Sequence, residues 1–247
     1  MRATRILMGM PVTVEVVGAA DGTVIEAVFA YFAAVDRRFS TYRDDSEIAA
    51  INASRLGAAD YSPEMREVLA LAEQTRLQSG SFFDIRMADG SLDPSGVVKG
   101  WAIRNAAAIA ARMGARDFFI DAGGDIQSAG KNTAGKDWSV GIRNPFNPAE
   151  IIKVVYPRGH GVATSGTYVR GQHIYNPHAP GQPIDAIVSL TVIGPDVLEA
   201  DRFATAAFAM GNDGIAFIEQ MPGLEGYVVG ANRRATPTSG FVEYCAP

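Results

Sequence analysis

The stretch GVATSGTYVRGQHIYNPHAPGQP, residues 161–183, concentrates hydroxyls, glycines and a histidine, and it shows no persistent periodicity. Its glycines permit backbone conformations that bulky residues resist, and its prolines interrupt regular structure. We therefore expect Thr164, Ser165 and His173 to lie on loops beside a scaffold, where binding and catalytic residues are concentrated. The scaffold has to come from the segments on either side.

The composition is typical of a globular protein with a sizeable core. The chain has 247 residues, of which 47% are hydrophobic and 20% are charged. A net charge of -5, with no run of Lys or Arg longer than a pair, argues against a nucleic acid partner. The one cysteine, Cys245, excludes both an intrachain disulfide and a cysteine-based metal site.

The N-terminal segment MRATRILMGMPVTVEVVG contains basic residues, but its apolar run is short and ends at Gly9 and Pro11. This pattern predicts neither a signal peptide nor a membrane-spanning helix. We therefore expect a cytoplasmic protein that does not insert into a membrane.

Periodicity predicts helices and strands that do not alternate regularly along the chain. The predicted helices cover residues 23–39, 44–52, 63–80, 97–113, 195–211 and 214–220. The predicted strands cover residues 12–16, 117–121, 125–129, 138–142, 151–156, 187–193, 226–229 and 241–244. Asp44 and Glu47 have the spacing of a capping box, and Ser62 before Pro63 is a strong helix start. The expected fold is α+β, with a mixed or mostly antiparallel sheet packed by helices.

Two oxygen-bearing side chains lie four residues apart on one predicted helix. Asp201 and Thr205 therefore face the same way, and together they form half a ligand shell for a hard cation such as Mg²⁺. The alternative is an exposed aspartate beside a threonine that bonds its own helix backbone. The pair alone does not decide between them.

The segment DPSGVVKG, residues 93–100, lies at a predicted helix start, where backbone amides and the helix dipole favour anions. Lys99 adds a positive charge one turn into the helix, so a phosphate-containing ligand would fit. An ordinary helix cap with a solvated lysine is the alternative. The segment is not a P-loop, and the chain contains no G-x-G-x-x-G motif.

The remaining candidates are a histidine and three carboxylates. His173 could act as a base near neutral pH, although an isolated loop histidine is more often structural. Asp84, Asp121 and Asp125 lie near predicted turns, and for them a turn-forming role is favoured.

Nine segments, taken in order, resemble the ApbE family, the flavin transferases that move FMN from FAD onto a protein threonine. The segments are Met8-Gly9, residues 40–42 with 46–48 and Asn52, Phe83-Asp84, DPSGVVKGWAI at 93–103, AGGDI at 122–126, WSVGI at 138–142, TSG at 164–166, HIYNP at 173–177, and EADRFATA at 199–206. Each segment is a weak signal alone, but nine in the same order are specific. The resemblance implies a single ApbE-like domain over residues 1–247.

The resemblance also implies roles for individual residues. Those that match the family's FAD-binding positions are Met8, Tyr42, Phe82, Phe83, Asp84, Asp93 and Lys99. Asp201, Thr205 and the backbone oxygen of Gly96 match its Mg²⁺ ligands, and His173 matches its likely base. FAD would then be a substrate, AMP the leaving group, and a flavoprotein with a target threonine the acceptor.

Two other activities are compatible with the same residues. In an FAD pyrophosphatase, water would replace the threonine and yield FMN and AMP. In a non-catalytic flavin-binding protein, the scaffold would remain without turnover. The chain is also a short variant, because only residues 85–92 separate Asp84 from Asp93, where family members usually carry several tens of residues. We expect this to remove part of one wall of the FAD site.

Overall fold

The computed structural model describes residues 1–18, 22–167 and 174–246, and an antiparallel sheet organises them. The strands, in chain order, are β1 (Arg2–Leu7), β2 (Met10–Val16), β3 (Phe118–Ala122), β4 (Asp125–Ala129), β5 (Val140–Asn144), β6 (Asn147–Val155), β7 (Gly161–Gly166), β8 (Ile187–Gly194), β9 (Glu225–Gly230) and β10 (Ala235–Pro237). Eight of them form one sheet in the order β1-β2-β3-β4-β7-β8-β9-β10, while β5 and β6 pair as a separate hairpin. Every pairing between these strands is antiparallel, as predicted.

Helices cover one face of the large sheet. They are α1 (Thr23–Phe39), α2 (Glu47–Asn52), α3 (Pro63–Gln78), α4 (Ser95–Arg112), α5 (Val197–Ala209) and α6 (Gly214–Gln220), with short 3-10 helices at Ala58–Asp60, Gly211–Asp213 and Phe241–Tyr244. Helix α1 buries Val28, Phe32 and Val35 at helical spacing, as its periodicity predicts. Within the described residues, no helix combines the length and the apolar character needed to cross a bilayer.

The other face of the sheet stays partly open, because strand side chains alternate between the two faces. In β2, Val12 and Val14 are buried in the helix-side core, while Thr13 between them lies on the opposite face. Thr13 pairs with Asp121 of β3, which also lies on the opposite face. The sheet therefore has a core face and a second face that is free to form a cavity.

Two helix starts test the capping predictions. Ser62 caps α3 as predicted, since its Oγ accepts the Met65 N–H at 3.1 Å. The capping box at Asp44 is wrong, because α2 begins at Glu47 and the Oγ of Ser46 accepts the Ala49 N–H at 3.1 Å. The hydroxyl of Ser46 also donates to the carbonyl of Ser40 at 2.8 Å, which fixes it as the cap.

The prediction that Thr164 and Ser165 lie on loops is wrong, because they belong to β7, in the interior of the sheet between β4 and β8. Gly161, which suggested a loop, instead allows two elements to pack closely. A Cβ on Gly161 would lie 2.0 Å from the backbone N of Val197, so only glycine lets β7 meet the start of α5. Small residues in a buried strand gave no periodic signal.

The last predicted strand, residues 241–244, is also wrong, since these residues form a 3-10 helix. Its first residue, Phe241, is buried and stacks on Tyr227 of β9 with ring centroids 5.3 Å apart. Two short edge strands, β1 and β10, were not predicted. Both are largely exposed and so lack the alternation that marks a half-buried strand.

Candidate functional site

A cavity of about 1210 Å³ lies between the open face of the sheet, the β5–β6 hairpin and the start of α4. Most of the candidate residues that the sequence singled out line this cavity. They are Phe82, Phe83, Asp84, Asp93, Gly96, Lys99, Asp121, Thr164, Ser165, Asp201 and Thr205. Residues up to 123 positions apart in the chain are thus brought to one surface, which sequence spacing alone does not reveal.

A lysine held by two buried carboxylates forms one end of the cavity. The Nζ of Lys99 lies 2.5 Å from Asp125 Oδ2 and 3.4 Å from Asp201 Oδ1. Asp125 is 1% exposed and Asp201 is 2% exposed. The Oδ1 of Asp125 accepts the backbone N–H of Thr164 at 3.0 Å, which joins the cluster to β7. The solvated-lysine alternative is therefore wrong, and so is the reading of Asp125 as a simple turn former.

Helices α4 and α5 carry the lysine and Asp201, and they touch at Gly100. A Cβ on Gly100 would lie 2.9 Å from the Cα of Leu198 and 2.9 Å from the carbonyl oxygen of Val197. The Gly100 N–H donates to Asp201 Oδ2 at 2.8 Å. In a regular helix this amide would bond only the carbonyl of Gly96. Asp201 thus gives it a second acceptor at the point where the helices meet.

Burial raises the pKa of Asp201 to about 7. The ammonium of Lys99 and the Gly100 amide act in the opposite direction and favour the ionised carboxylate, while the nearby Asp125 raises the pKa further. Two carboxylates face one ammonium in this cluster, so its residues carry excess negative charge when both acids are ionised. A divalent cation would compensate that charge.

Thr205 and Gly96 line the cavity, as Asp201 does, and approach each other. Thr205 lies one turn after Asp201 on α5, and its Oγ1 is 3.5 Å from the hydroxyl of Ser165. A Cβ on Gly96 would lie 3.5 Å from the Cγ2 of Thr205, so the start of α4 approaches the same threonine. Oxygen ligands of this kind suit Mg²⁺. Within residues 1–18, 22–167 and 174–246, no group of three or more His, Cys, Asp or Glu side chains could hold a metal.

The start of α4 differs from the prediction by two residues, since the helix begins at Ser95. Its N-cap is Pro94, which makes no side-chain cap bond, and the Oδ1 of Asp93 just before it accepts the Ser95 N–H at 3.0 Å. The amides of Val97 and Val98 both donate to the carbonyl of Pro94. These contacts place Asp93 at the cavity wall and leave Lys99 as the cationic side chain that α4 adds to the cavity lining.

The turn after α3 forms the wall that carries Phe82, Phe83 and Asp84. The Phe83 N–H donates to the Oγ of Ser79 at 3.1 Å, and the Phe83 ring packs where a Cβ on Gly96 would lie only 2.8 Å away. The Phe82 ring packs on His178, with ring centroids 4.4 Å apart. This wall is therefore fixed against α4 on one side and against the segment after residue 173 on the other.

The short segment between Asp84 and Asp93 forms a tight turn rather than an extended wall. Arg86 and Leu92 pair as an isolated bridge, and the Met87 N–H donates to the carbonyl of Ser91 at 2.8 Å. Asn52 of α2 holds the turn through two bonds with the backbone of Leu92, at 2.8 and 3.0 Å. Met87 of this turn lines the cavity, as do Asp84 and Asp93 at its two ends.

Two of the predicted site residues, Met8 and Tyr42, do not line the cavity, and a third, His173, cannot be placed. Met8 lies in the β1–β2 turn with a φ of 52°, next to the cavity-lining Gly9. Tyr42 lies in the turn before α2 and is 98% exposed. His173 lies outside the described residues, although the following residue, Ile174, lines the cavity.

Sequence reasoning missed the part of the cavity that the open sheet face and the hairpin form. Phe119, Trp138 and Arg143 line it, and the Trp138 Nε1–H donates to the carbonyl of Ala129 at 2.9 Å. The WSVGI segment marked this region as distinctive, but neither periodicity nor spacing places a hairpin opposite a particular sheet face.

Taken together, the fold and this end of the cavity define a class of protein: an antiparallel α+β domain in which two buried carboxylates hold a lysine at the wall of a large cavity. The model of the ApbE family matches residues 8–90 and 86–228, and the chain therefore belongs to the ApbE family.

Several curated relatives align with this chain over part of their length. An FAD:protein FMN transferase of Klebsiella pneumoniae is 30% identical over 186 residues, which cover 68% of this chain and 53% of that protein. One from Vibrio cholerae is 32% identical over 139 residues, or 52% of this chain and 41% of that protein. The chain spans about half the length of the curated relatives it matches.

Solved structures confirm the fold class. The ApbE protein of Thermotoga maritima superposes with a TM-score of 0.88 at 21% identity, covering 100% of this chain and 99% of that chain. The flavin transferase ApbE from Vibrio cholerae gives a TM-score of 0.86 at 21% identity, covering 99% of this chain and 98% of that chain. At this identity the similarity shows the fold alone.

Proposed function

We propose that this protein transfers FMN from FAD to a threonine hydroxyl of an acceptor protein in an Mg²⁺-dependent reaction that releases AMP. The observation that carries the proposal is the cluster of Lys99, Asp125 and Asp201, with Thr205 beside it, at one end of a large cavity. Phosphoryl transfer requires mainly positioning and charge neutralisation, which such a cluster supplies. The family's named FMN transferases support the same reaction.

The size of the cavity supports a dinucleotide substrate. Its volume, about 1210 Å³, exceeds the roughly 300–1,000 Å³ of ordinary small-molecule pockets. A ligand of the size of FAD is therefore compatible with the cavity. Phe82, Phe83 and Asp84 would contact the nucleotide from the wall that faces the cluster.

Asp201, Thr205 and the Gly96 carbonyl would hold the metal ion. Their fit rests on the excess of carboxylates over ammonium groups in the cluster, and the Gly100 amide fixes the orientation of the Asp201 carboxylate. When bound, Mg²⁺ supplies charge neutralisation for the pyrophosphate oxygens.

The chain's own residues would carry the remaining steps. Lys99, oriented by Asp125, would bind a phosphoryl oxygen and hold the FMN-side phosphorus for attack. The threonine oxygen forms a bond to that phosphorus, the bond to AMP breaks, and the hydroxyl proton passes to a base. We propose His173 as that base, from the family motif.

The reaction can be tested with the purified protein, FAD and Mg²⁺, with and without an acceptor domain that carries the family's target threonine. AMP is quantified by chromatography, and covalent flavin by fluorescence of a denaturing gel. AMP together with a fluorescent acceptor band supports the transferase. AMP without the band identifies a pyrophosphatase, and saturable FAD binding without AMP identifies a flavin-binding protein.

A Lys99→Met variant provides the site-specific test, and a Lys131→Met variant provides its control, because Lys131 forms a similar but exposed pair with Asp137 at 2.6 Å. Loss of one charge-assisted contact to phosphate predicts at least a tenfold fall in kcat/KM for Lys99→Met. Equal rates in the two variants would overturn the role of Lys99. The acceptor protein and a cytoplasmic location stay predictions.

A further inference from the structure

Arg202 follows Asp201 on α5, but its side chain contacts α3 instead of the cavity. It is 3% exposed, and its Nη1 donates to Thr75 Oγ1 at 3.1 Å and to Gln78 Oε1 at 2.8 Å. A buried guanidinium is stable only when its donors find partners. Arg202 therefore joins the helix of the proposed metal ligands to the last turn of α3.

A second set of contacts fixes the orientation of the Arg202 side chain. Its Nε and Nη2 donate to the two carboxylate oxygens of Glu199 at 2.9 and 2.6 Å, one turn earlier on α5. The guanidinium also lies over the Phe203 ring, 4.2 Å from its centroid. Because the planar guanidinium is held along one edge by Glu199, its Nη1 is aimed at α3.

The end of α3 leads directly into the wall of the cavity. After Gln78, the Gly80 N–H donates to the carbonyl of Leu77 and the Ser81 N–H to that of Arg76, at 3.2 and 2.7 Å. Ser81 has a φ of 66°, in the left-handed region that a non-glycine residue adopts only when its surroundings impose it. The conformation of the turn therefore depends on a fixed end of α3.

We propose that Arg202 is a positioning residue that sets the wall formed by Phe82, Phe83 and Asp84 relative to the metal ligands on α5. The wall and Asp201 bind different parts of one substrate, so a shift of α3 against α5 would separate them. The substrate assignment rests on the proposed function, whereas the mechanical link between Arg202 and the wall does not.

The mechanical link is tested without any ligand by hydrogen–deuterium exchange of the peptide that covers residues 79–86. The Arg202→Met and Gln78→Leu variants should each exchange at least tenfold faster in this peptide than the wild-type protein, because they break the same contact. Gln78→Glu keeps an acceptor for Nη1 and should exchange as the wild type does. If folded Arg202→Met and Gln78→Leu both keep wild-type exchange, the link is wrong.

The functional consequence is tested by FAD binding, followed by flavin fluorescence without Mg²⁺, and by steady-state kinetics. Loss of a hydrogen bond to a charged group predicts a rise of about tenfold in the Kd and KM for FAD, with kcat changed less than about twofold. Arg202→Lys keeps the charge but not the planar fork, so it should resemble Arg202→Met.

Arg104→Met is the matched control. Arg104 also joins two helices, with Nη2 3.1 Å from Glu67 of α3, but its contact is partly exposed and far along the helix from the wall. It should leave both the exchange and the FAD affinity unchanged. If Arg202→Met does not fold, Gln78→Leu carries the test. If the wild-type protein binds no FAD, the proposed function is wrong. Faster exchange of the 79–86 peptide in the Arg202→Met and Gln78→Leu variants would still support the link.

Discussion

At the scale of single residues, the feature with the largest energetic cost is the cluster of Lys99, Asp125 and Asp201 at the end of the cavity. Burying a charge is unfavourable unless a partner compensates it, and here one lysine compensates two carboxylates. Removing the lysine is therefore expected to destabilise the fold, because it leaves two buried carboxylates without an ammonium partner. Exposed pairs elsewhere in the chain carry no such penalty.

We predict that Lys99→Met lowers the free energy of unfolding by about 3 kcal/mol in metal-free buffer, because it leaves buried carboxylates uncompensated. Urea denaturation followed by circular dichroism measures the change. The exposed pair of Lys131 with Asp137 provides the control, and Lys131→Met should change stability by less than about 1 kcal/mol. Equal changes in the two variants would show that the cluster is not stabilising.

At the scale of elements, the site depends on how closely α4 and α5 approach. Gly100 makes that approach possible, and its amide bonds Asp201 across the interface. The periodicity of the two helices was sufficient to predict that both exist. It could not predict their contact, because a glycine inside a helix gives the same local signal whether or not another backbone lies against it.

Gly100→Ala should destabilise the protein by about 1–3 kcal/mol, because the new methyl group meets the backbone of α5, which cannot rotate away as a side chain can. Thermal or chemical denaturation tests this. Gly57→Ala serves as the control, since the nearest atom to its new Cβ would be 3.9 Å away, and a shift of less than about 0.5 kcal/mol is expected there. If Gly100→Ala leaves the free energy of unfolding unchanged, the two helices can move apart to accommodate the methyl group without loss of stability.

At the scale of the whole molecule, the cavity is assembled from the open sheet face, the hairpin, the start of α4 and the middle of α5. The sequence predicted most helices and the antiparallel sheet because each has a local pattern. It missed β7, whose small buried residues have no periodicity, and it favoured a turn-forming role for Asp125, whose lysine partner lies elsewhere in the chain. The ordered family motifs identified residues of the site, but not the sheet face that they share.

Mg²⁺ should stabilise the whole fold, because its proposed ligands belong to both α4 and α5. At about 100 times its Kd, the ion would add about 2.7 kcal/mol, which corresponds to a rise in Tm of about 5–10 °C for a chain of this size. Differential scanning calorimetry with and without EDTA measures it. Asp201→Asn should abolish the rise, whereas Asp213→Asn, at an exposed position, should retain it. A shift retained in Asp201→Asn would place the ion elsewhere.

The contact between Gly100 and Asp201 joins residues 101 positions apart in the chain. Contacts of such long range form late in folding, because closing the intervening loop has a large entropic cost until the sheet between them exists. We therefore expect a ligand that depends on this contact to bind only after the rate-limiting barrier has been crossed. Such a ligand would leave the refolding rate unchanged and extend the lifetime of the native state by slowing its unfolding.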